Sequence, residues 1–285
     1  MKLVLVHGRA QQRKDPAALR KQWIDALGTN IDEGADVAFA YYGDLLADLV
    51  DRVEKELPDD LAARGPATGP HSYLTAQSAI LADLVQAAGV TEGEVLEELD
   101  MLQARDPQNW GWVLAAARTL SRIPGLDARV IDTWLRDVSL YITNAAVQRA
   151  VDQIVLTELD TEPFALVAHS LGTVVAYNVL RSPLRTAPCR GLITLGSPLA
   201  IPAIRKRLRA PVTYPPALSN WFNAFDKADI VALRPLDATY FPTDPPIDNY
   251  PGVTNPTPDR HGITGYLTDP KVATVVADLL REPTH

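Results

Sequence analysis

The sequence predicts an α/β fold, a mostly parallel sheet flanked by helices, with a helical block inserted between its strands. Three observations carry that expectation. Short, largely apolar runs at Lys2–Val6, Phe164–Ala168 and Gly191–Leu195 have the length and composition of strands buried on both faces. Between the first of these and a further strand at Val37–Tyr41, the apolar residues Leu19, Trp23, Ile24 and Leu27 fall at helical spacing, which makes a β-α-β unit. From Gly43 to about Thr143 the pattern is helical and no convincing strand appears.

Bulk properties bound the rest. A chain of 285 residues with 47% apolar residues suits one α/β domain, 1–285, that carries an insertion at 43–143. A net charge of -8 argues against a nucleic-acid partner and against adhesion to anionic lipid. Cys189 is the single cysteine, so no internal disulfide forms, and no cysteine or histidine cluster calls for a metal or other cofactor. Cys189 reads as core filler at the start of a strand. The apolar run after Lys2 is too short for a signal peptide and no run reaches membrane-spanning length, so cytoplasmic residence without stable membrane insertion is expected. The oligomeric state stays open.

The elements follow in order. The strand Lys2–Val6 delivers His7-Gly8-Arg9 to its carboxyl end, where ligands gather in open α/β sheets. Arg9, Arg13 and Lys14 are either a solvated charge run or a means of recognising an anionic group. Asp15-Pro16 starts the first helix as cap and first helical residue. Inside the insertion, Leu45, Leu46, Leu49, Val50 and Val53 mark one helix, and a Gly/Pro-rich break follows at 64–70. Further helices are expected at Leu74–Ala88, Glu92–Gln103, Trp110–Leu120 and Ile131–Tyr141. Trp110, Trp112 and Trp134 either pack between these helices or line an acyl pocket; packing is the commoner use. His71 reads as a loop residue.

Asn144 caps the next helix, with Val147, Val151, Ile154, Val155 and Leu159 toward the sheet. After Gly191–Leu195 comes Gly196-Ser197-Pro198, then a helical patch from Ile201 to Leu208 with a solvated basic face. Trp221–Phe225 is the next strand, followed by Asp226-Lys227-Ala228-Asp229-Ile230-Val231. The proline-dense stretch from Leu233 to Pro258 is loop-like, with one short strand near Tyr250–Val253. His261 then precedes a last amphipathic helix that starts at Asp269-Pro270 and turns Val272, Val275, Val276, Leu279 and Leu280 inward.

Between the strand Phe164–Ala168 and the apolar helix through Tyr177 and Leu180 lies Ala168-His169-Ser170-Leu171-Gly172. A turn this tight strains its central residue and needs small neighbours so that strand and helix pass closely, and it holds a hydroxyl at the strand's end. The stretch resembles the nucleophile elbow of the α/β-hydrolase superfamily, Gly-x-Ser-x-Gly, with alanine in the first glycine position. The likeness extends to the His-Gly pair after the first strand, the lipase-like Gly-Ser-Pro turn, the acid loop and the histidine before the last helix. It spans the chain except the insertion.

The resemblance implies a catalytic Ser170, an acid Asp229 with Asp226 as rival, and a base His261, in the order Ser, Asp, His that this superfamily uses. It also implies an oxyanion hole made by the backbone N–H groups of Arg9 and Leu171. His169 reads as packing beside the nucleophile. The function so implied is hydrolysis of a small-molecule carboxylic ester through an acyl-enzyme, with lipid or other acyl esters favoured and thioesters, amides and phospholipids open. The alternative is a ligand-sensing module on the same scaffold with little turnover.

Overall fold

The computed structural model describes residues 1–8, 11–28, 36–60, 70–102, 110–123, 128–159, 163–183, 187–258 and 260–281. Arg9, most of the Gly/Pro-rich break and Asp259 lie outside the described residues, as do the side chains of His71 and Trp110.

Six strands among the described residues make one sheet: β1 (Lys2–Val6), β2 (Val37–Ala40), β3 (Phe164–His169), β4 (Cys189–Leu195), β5 (Leu218–Asp226) and β6 (Asp248–Val253). All neighbours run parallel, in the order β2-β1-β3-β4-β5-β6. The chain therefore leaves β1 toward one edge and returns on its other side to β3. The carboxyl ends of β1 and β3 flank the point where the winding reverses, the place where open α/β sheets bind their ligands.

Alternation along the strands divides the core into two layers. Leu3, Leu5, Ala165, Val167, Ile193 and Leu195 pack with Trp23 and Leu27 of α1 (Pro16–Leu27) and with Val272 and Val276 of α11 (Pro270–Leu280). Val4, Val6, Leu166 and Ala168 face the other way, onto α7 (Ala145–Glu158) and α8 (Leu171–Leu180). Burial on both faces is why these strands are apolar throughout. The caps are local: Asp15 accepts from Ala17 N at 3.0 Å, and Asn144 accepts from Ala146 and Val147 N at 3.0 and 3.1 Å.

The described residues of the segment 43–143 lie in helices and the turns between them. It forms α2 (Gly43–Asp60), α3 (Pro70–Ala87), α4 (Glu92–Leu102), α5 (Trp110–Ser121) and α6 (Ala128–Thr143). Its apolar side is continuous with the core layer that contains α7 and α8, and Trp134 is buried there while Trp112 is half-buried against it. Helix α3 reaches across to the sheet's carboxyl end. Its Asp83 accepts from Ala203 N at 2.6 Å, and Asp83, Leu84 and Ala87 line a small cleft with Ile201, Ile230 and Val231.

Two segments differ from the expectation. The patch from Ile201 to Leu208 is only one helical turn, α9 (Pro202–Arg205), after a 3-10 turn at Pro198–Ala200. Its basic side chains are not all solvated, because Arg205 donates to the Tyr240 carbonyl and Arg207 to the Ala203 carbonyl. Between His261 and α11 stands an extra short helix, α10 (Ile263–Leu267), too brief to leave a periodic signal. Among the described residues no helix is long and apolar enough to cross a membrane.

Candidate active site

Ser170 stands at the carboxyl end of β3 with φ 54° and ψ -128°, a backbone state that L residues avoid. It is held there by close packing on both sides. A Cβ on Gly172 would lie 2.4 Å from the Val6 carbonyl oxygen, and one on Gly8 would lie 2.7 Å from the Ser170 Cβ. Glycine at 172 lets α8 pass β1, and glycine at 8 lets the loop after β1 touch the serine.

His261 approaches from the loop that precedes α10. Its Nε2 is 2.8 Å from Ser170 Oγ and its Nδ1 is 2.7 Å from Asp229 Oδ2. A carboxylate only accepts, so Nδ1 carries the proton and the bare Nε2 faces the serine hydroxyl. Asp229 caps the 3-10 turn Ile230–Ala232 with Oδ1, which accepts from Val231 N at 2.9 Å. Its Oδ2 also accepts from the Tyr266 hydroxyl at 2.6 Å. Ser170 and Asp229 have no exposed surface and His261 is 4% exposed. Three side chains separated by 91 and 32 residues thus meet in a water-excluded spot where a hydroxyl proton can pass to an imidazole.

Asp226 is directed elsewhere. Its Oδ1 accepts from Ala228 N at 2.8 Å and its Oδ2 from Asn255 N at 2.7 Å, which ties the end of β5 to the loop that carries His261. Asn255 in turn donates from Nδ2 to the Gly262 carbonyl at 2.8 Å.

Leu171 opens α8 directly after Ser170, so its N–H has no carbonyl one turn back to donate to. Gly8, next to Arg9, is packed on Ser170, whereas the Arg9 N–H itself is outside the described residues. His7 shapes the loop that leads there. Its Nε2 accepts from Tyr42 N at 3.0 Å and its Nδ1 donates to the Gly8 carbonyl, so one neutral tautomer is fixed. Burial pushes His7 down to about 4, because protonation would charge an enclosed ring and remove the acceptor that Tyr42 uses. The Tyr42 hydroxyl donates to the His7 carbonyl.

No model of a known protein family matches the chain, and no curated protein matches it.

Arg13 and Lys14 lie exposed near this loop: Arg13 N donates to Asp44 and Lys14 Nζ donates to Gln11 at 3.1 Å. Two residues at the site carried no assigned role in the sequence, and a third, His169, does more than pack. Tyr42 stands beyond the end of an ordinary strand, and nothing marks it. Tyr266 follows His261 by five positions in a helix too short to announce itself. His169 was expected only to pack, and it does lie among Trp23, His261 and Tyr266, but its Nε2 also donates to the His261 carbonyl at 2.8 Å. A histidine beside the strained serine is the one signal that pointed to it.

Proposed function

We propose that this chain is a serine hydrolase of the α/β-hydrolase type, working in the cytoplasm, which cleaves carboxylic esters with lipid or other acyl esters favoured. The observation that carries the reading is the contact chain from Ser170 Oγ to His261 Nε2 at 2.8 Å and from His261 Nδ1 to Asp229 Oδ2 at 2.7 Å. A serine hydroxyl is a weak nucleophile until a neutral imidazole accepts its proton during attack. His261 takes that proton and returns it to the leaving alcohol, while Asp229 keeps the ring in its tautomer and steadies the imidazolium. The acyl group rests on Ser170 Oγ until water, deprotonated by His261, releases it as the acid.

The oxyanion of each tetrahedral intermediate is met by the Leu171 N–H at the start of α8 and by the Arg9 N–H. A donor of this kind lowers the barrier by about 2.7–4 kcal/mol. In this reading the segment 43–143 is the cap; its helix α3 meets the loop after Asp229, where Asp83, Leu84 and Ala87 line a small cleft with Ile230 and Val231. The complete burial of Ser170 favours one second reading, a ligand-sensing module in which binding matters more than turnover.

Labelling with a fluorophosphonate tests the enzyme reading. The native protein is expected to label and Ser170→Ala to stay unlabelled; equal labelling of the two removes the hydrolase. A series of p-nitrophenyl esters of rising chain length then addresses the substrate. Rates that rise with chain length support a lipid substrate, and a flat or falling series counts against it.

A further inference from the structure

Asp229 Oδ2 accepts two hydrogen bonds, from His261 Nδ1 at 2.7 Å and from the Tyr266 hydroxyl at 2.6 Å. The Tyr266 oxygen in turn accepts from Asp226 N at 3.3 Å. A short polarised chain therefore runs from the end of β5 through a phenol to the carboxylate that faces the imidazole. We infer that Tyr266 is a positioning residue that fixes the Asp229 carboxylate and moderates the charge it presents to His261. The inference rests on the hydrolase reading, because it assigns Tyr266 its role in that reaction.

The geometry gives two reasons. With Oδ1 held by Val231 N at 2.9 Å and Oδ2 by Tyr266, the carboxylate cannot rotate when the imidazole moves during proton transfer. A second donor on Oδ2 also draws electron density away from the side that meets Nδ1, which weakens the attraction between carboxylate and imidazolium. Burial, and then the nearness of Asp229, raise the Tyr266 phenol well above its ordinary range, so it stays a donor across the working pH. Tyr266 also packs in the core layer with Val272 and Val276, so its ring has a structural part that the test must separate from the hydroxyl.

Among the described residues, polar and titratable groups reach the imidazole and its loop from several elements. His169 and Ser170 come from β3 and its turn, Asp226 and Asp229 from the end of β5 and its loop, Tyr266 from α10, and Arg260 from the histidine's own loop. Arg260 is turned to the Asn255 carbonyl at 3.2 Å. Among the described residues, Tyr266 and the imidazole are the side chains that donate to Asp229.

Steady-state hydrolysis of a p-nitrophenyl ester by Tyr266→Phe, measured against pH, reads both effects. The expected result is a kcat lower by about tenfold with little change in KM, and an acid limb of kcat/KM moved to higher pH by on the order of half a unit. Replacement of Tyr266 by 3-fluorotyrosine keeps the shape and strengthens the donor, and its acid limb is expected to move to lower pH. This second variant decides the matter if Tyr266→Phe does not fold. An unmoved limb in the folded variants, or movement of both in one direction, overturns the inference and leaves a packing role. The proton NMR signal of the His261 Nδ1–H gives a readout that needs no turnover. If Ser170-dependent labelling fails, the hydrolase reading falls by itself; a bridging-proton signal unchanged between native protein and Tyr266→Phe defeats the Tyr266 inference by itself.

Discussion

His169 donates from Nε2 to the backbone carbonyl of His261 at 2.8 Å, so the residue before the serine holds the residue that faces the serine. The two rings lie 4.7 Å apart, with Trp23 and Tyr266 around them. His169→Phe keeps an aromatic ring and removes the donor. It is expected to lose about 1 kcal/mol in urea unfolding and about tenfold in kcat/KM, since the loop carrying His261 is then less tightly fixed. Unchanged kinetics in the folded variant would reduce His169 to packing.

Gly172 allows no side chain where α8 crosses β1. Gly172→Ala drives a Cβ to 2.4 Å from the Val6 carbonyl oxygen, a backbone atom that cannot step aside. A stability loss of about 3 kcal/mol is expected, read as a lower urea midpoint. A midpoint equal to that of the native protein would mean the helix shifts without cost.

The two aspartates near the end of β5 separate cleanly by partner. Asp229→Asn leaves a neutral group opposite His261 Nδ1 and favours the wrong tautomer, so kcat is expected to fall by about 10⁴. Asp226→Asn disturbs the bonds to Ala228 and Asn255 N and is expected to cost stability more than turnover. The reverse ranking of activities would hand the acid's role to Asp226.

Acid stability reflects two groups, buried His7 and half-buried Asp152, that act in opposite directions. Burial lowers His7 from 6.5 to about 4, so the unfolded chain binds a proton in that window that the folded chain refuses, and stability falls as pH drops through it. Burial raises Asp152 from 3.8 to about 6 despite the hydrogen bond from Tyr141, so the folded chain keeps a proton the unfolded chain has lost, and stability falls as pH rises through that window. Asp152→Asn removes only the second effect. Relative to the native protein it is expected to be level below about pH 4 and more stable by about 2 kcal/mol above about pH 6. Urea unfolding across that range checks it, and a difference that does not change with pH refutes it.

Much of the sheet and its flanking helices was legible because burial on both faces writes continuous apolar runs, as in Phe164–Ala168, and because proline and aspartate mark helix starts at Asp15 and Asp269. The serine turn was legible for a related reason: its crowding demands small residues at fixed offsets. What escaped notice had no local cause. The Tyr266 hydroxyl, the His169 donor and the Tyr42 bonds to His7 are set by side chains that meet across the sheet's end, and no spacing within one segment encodes them. The basic patch around Arg205 misled because its composition suits a solvated helix, while two of its guanidiniums find carbonyls in the fold.

The positive φ at Ser170 makes this position a standing weakness in the scaffold. With φ at 54°, any side chain there works against folding, and glycine alone is at ease. A protein shaped only for endurance would carry glycine at this site; under the proposed hydrolase reading, the strain is what a hydroxyl held against the His261 ring costs the scaffold.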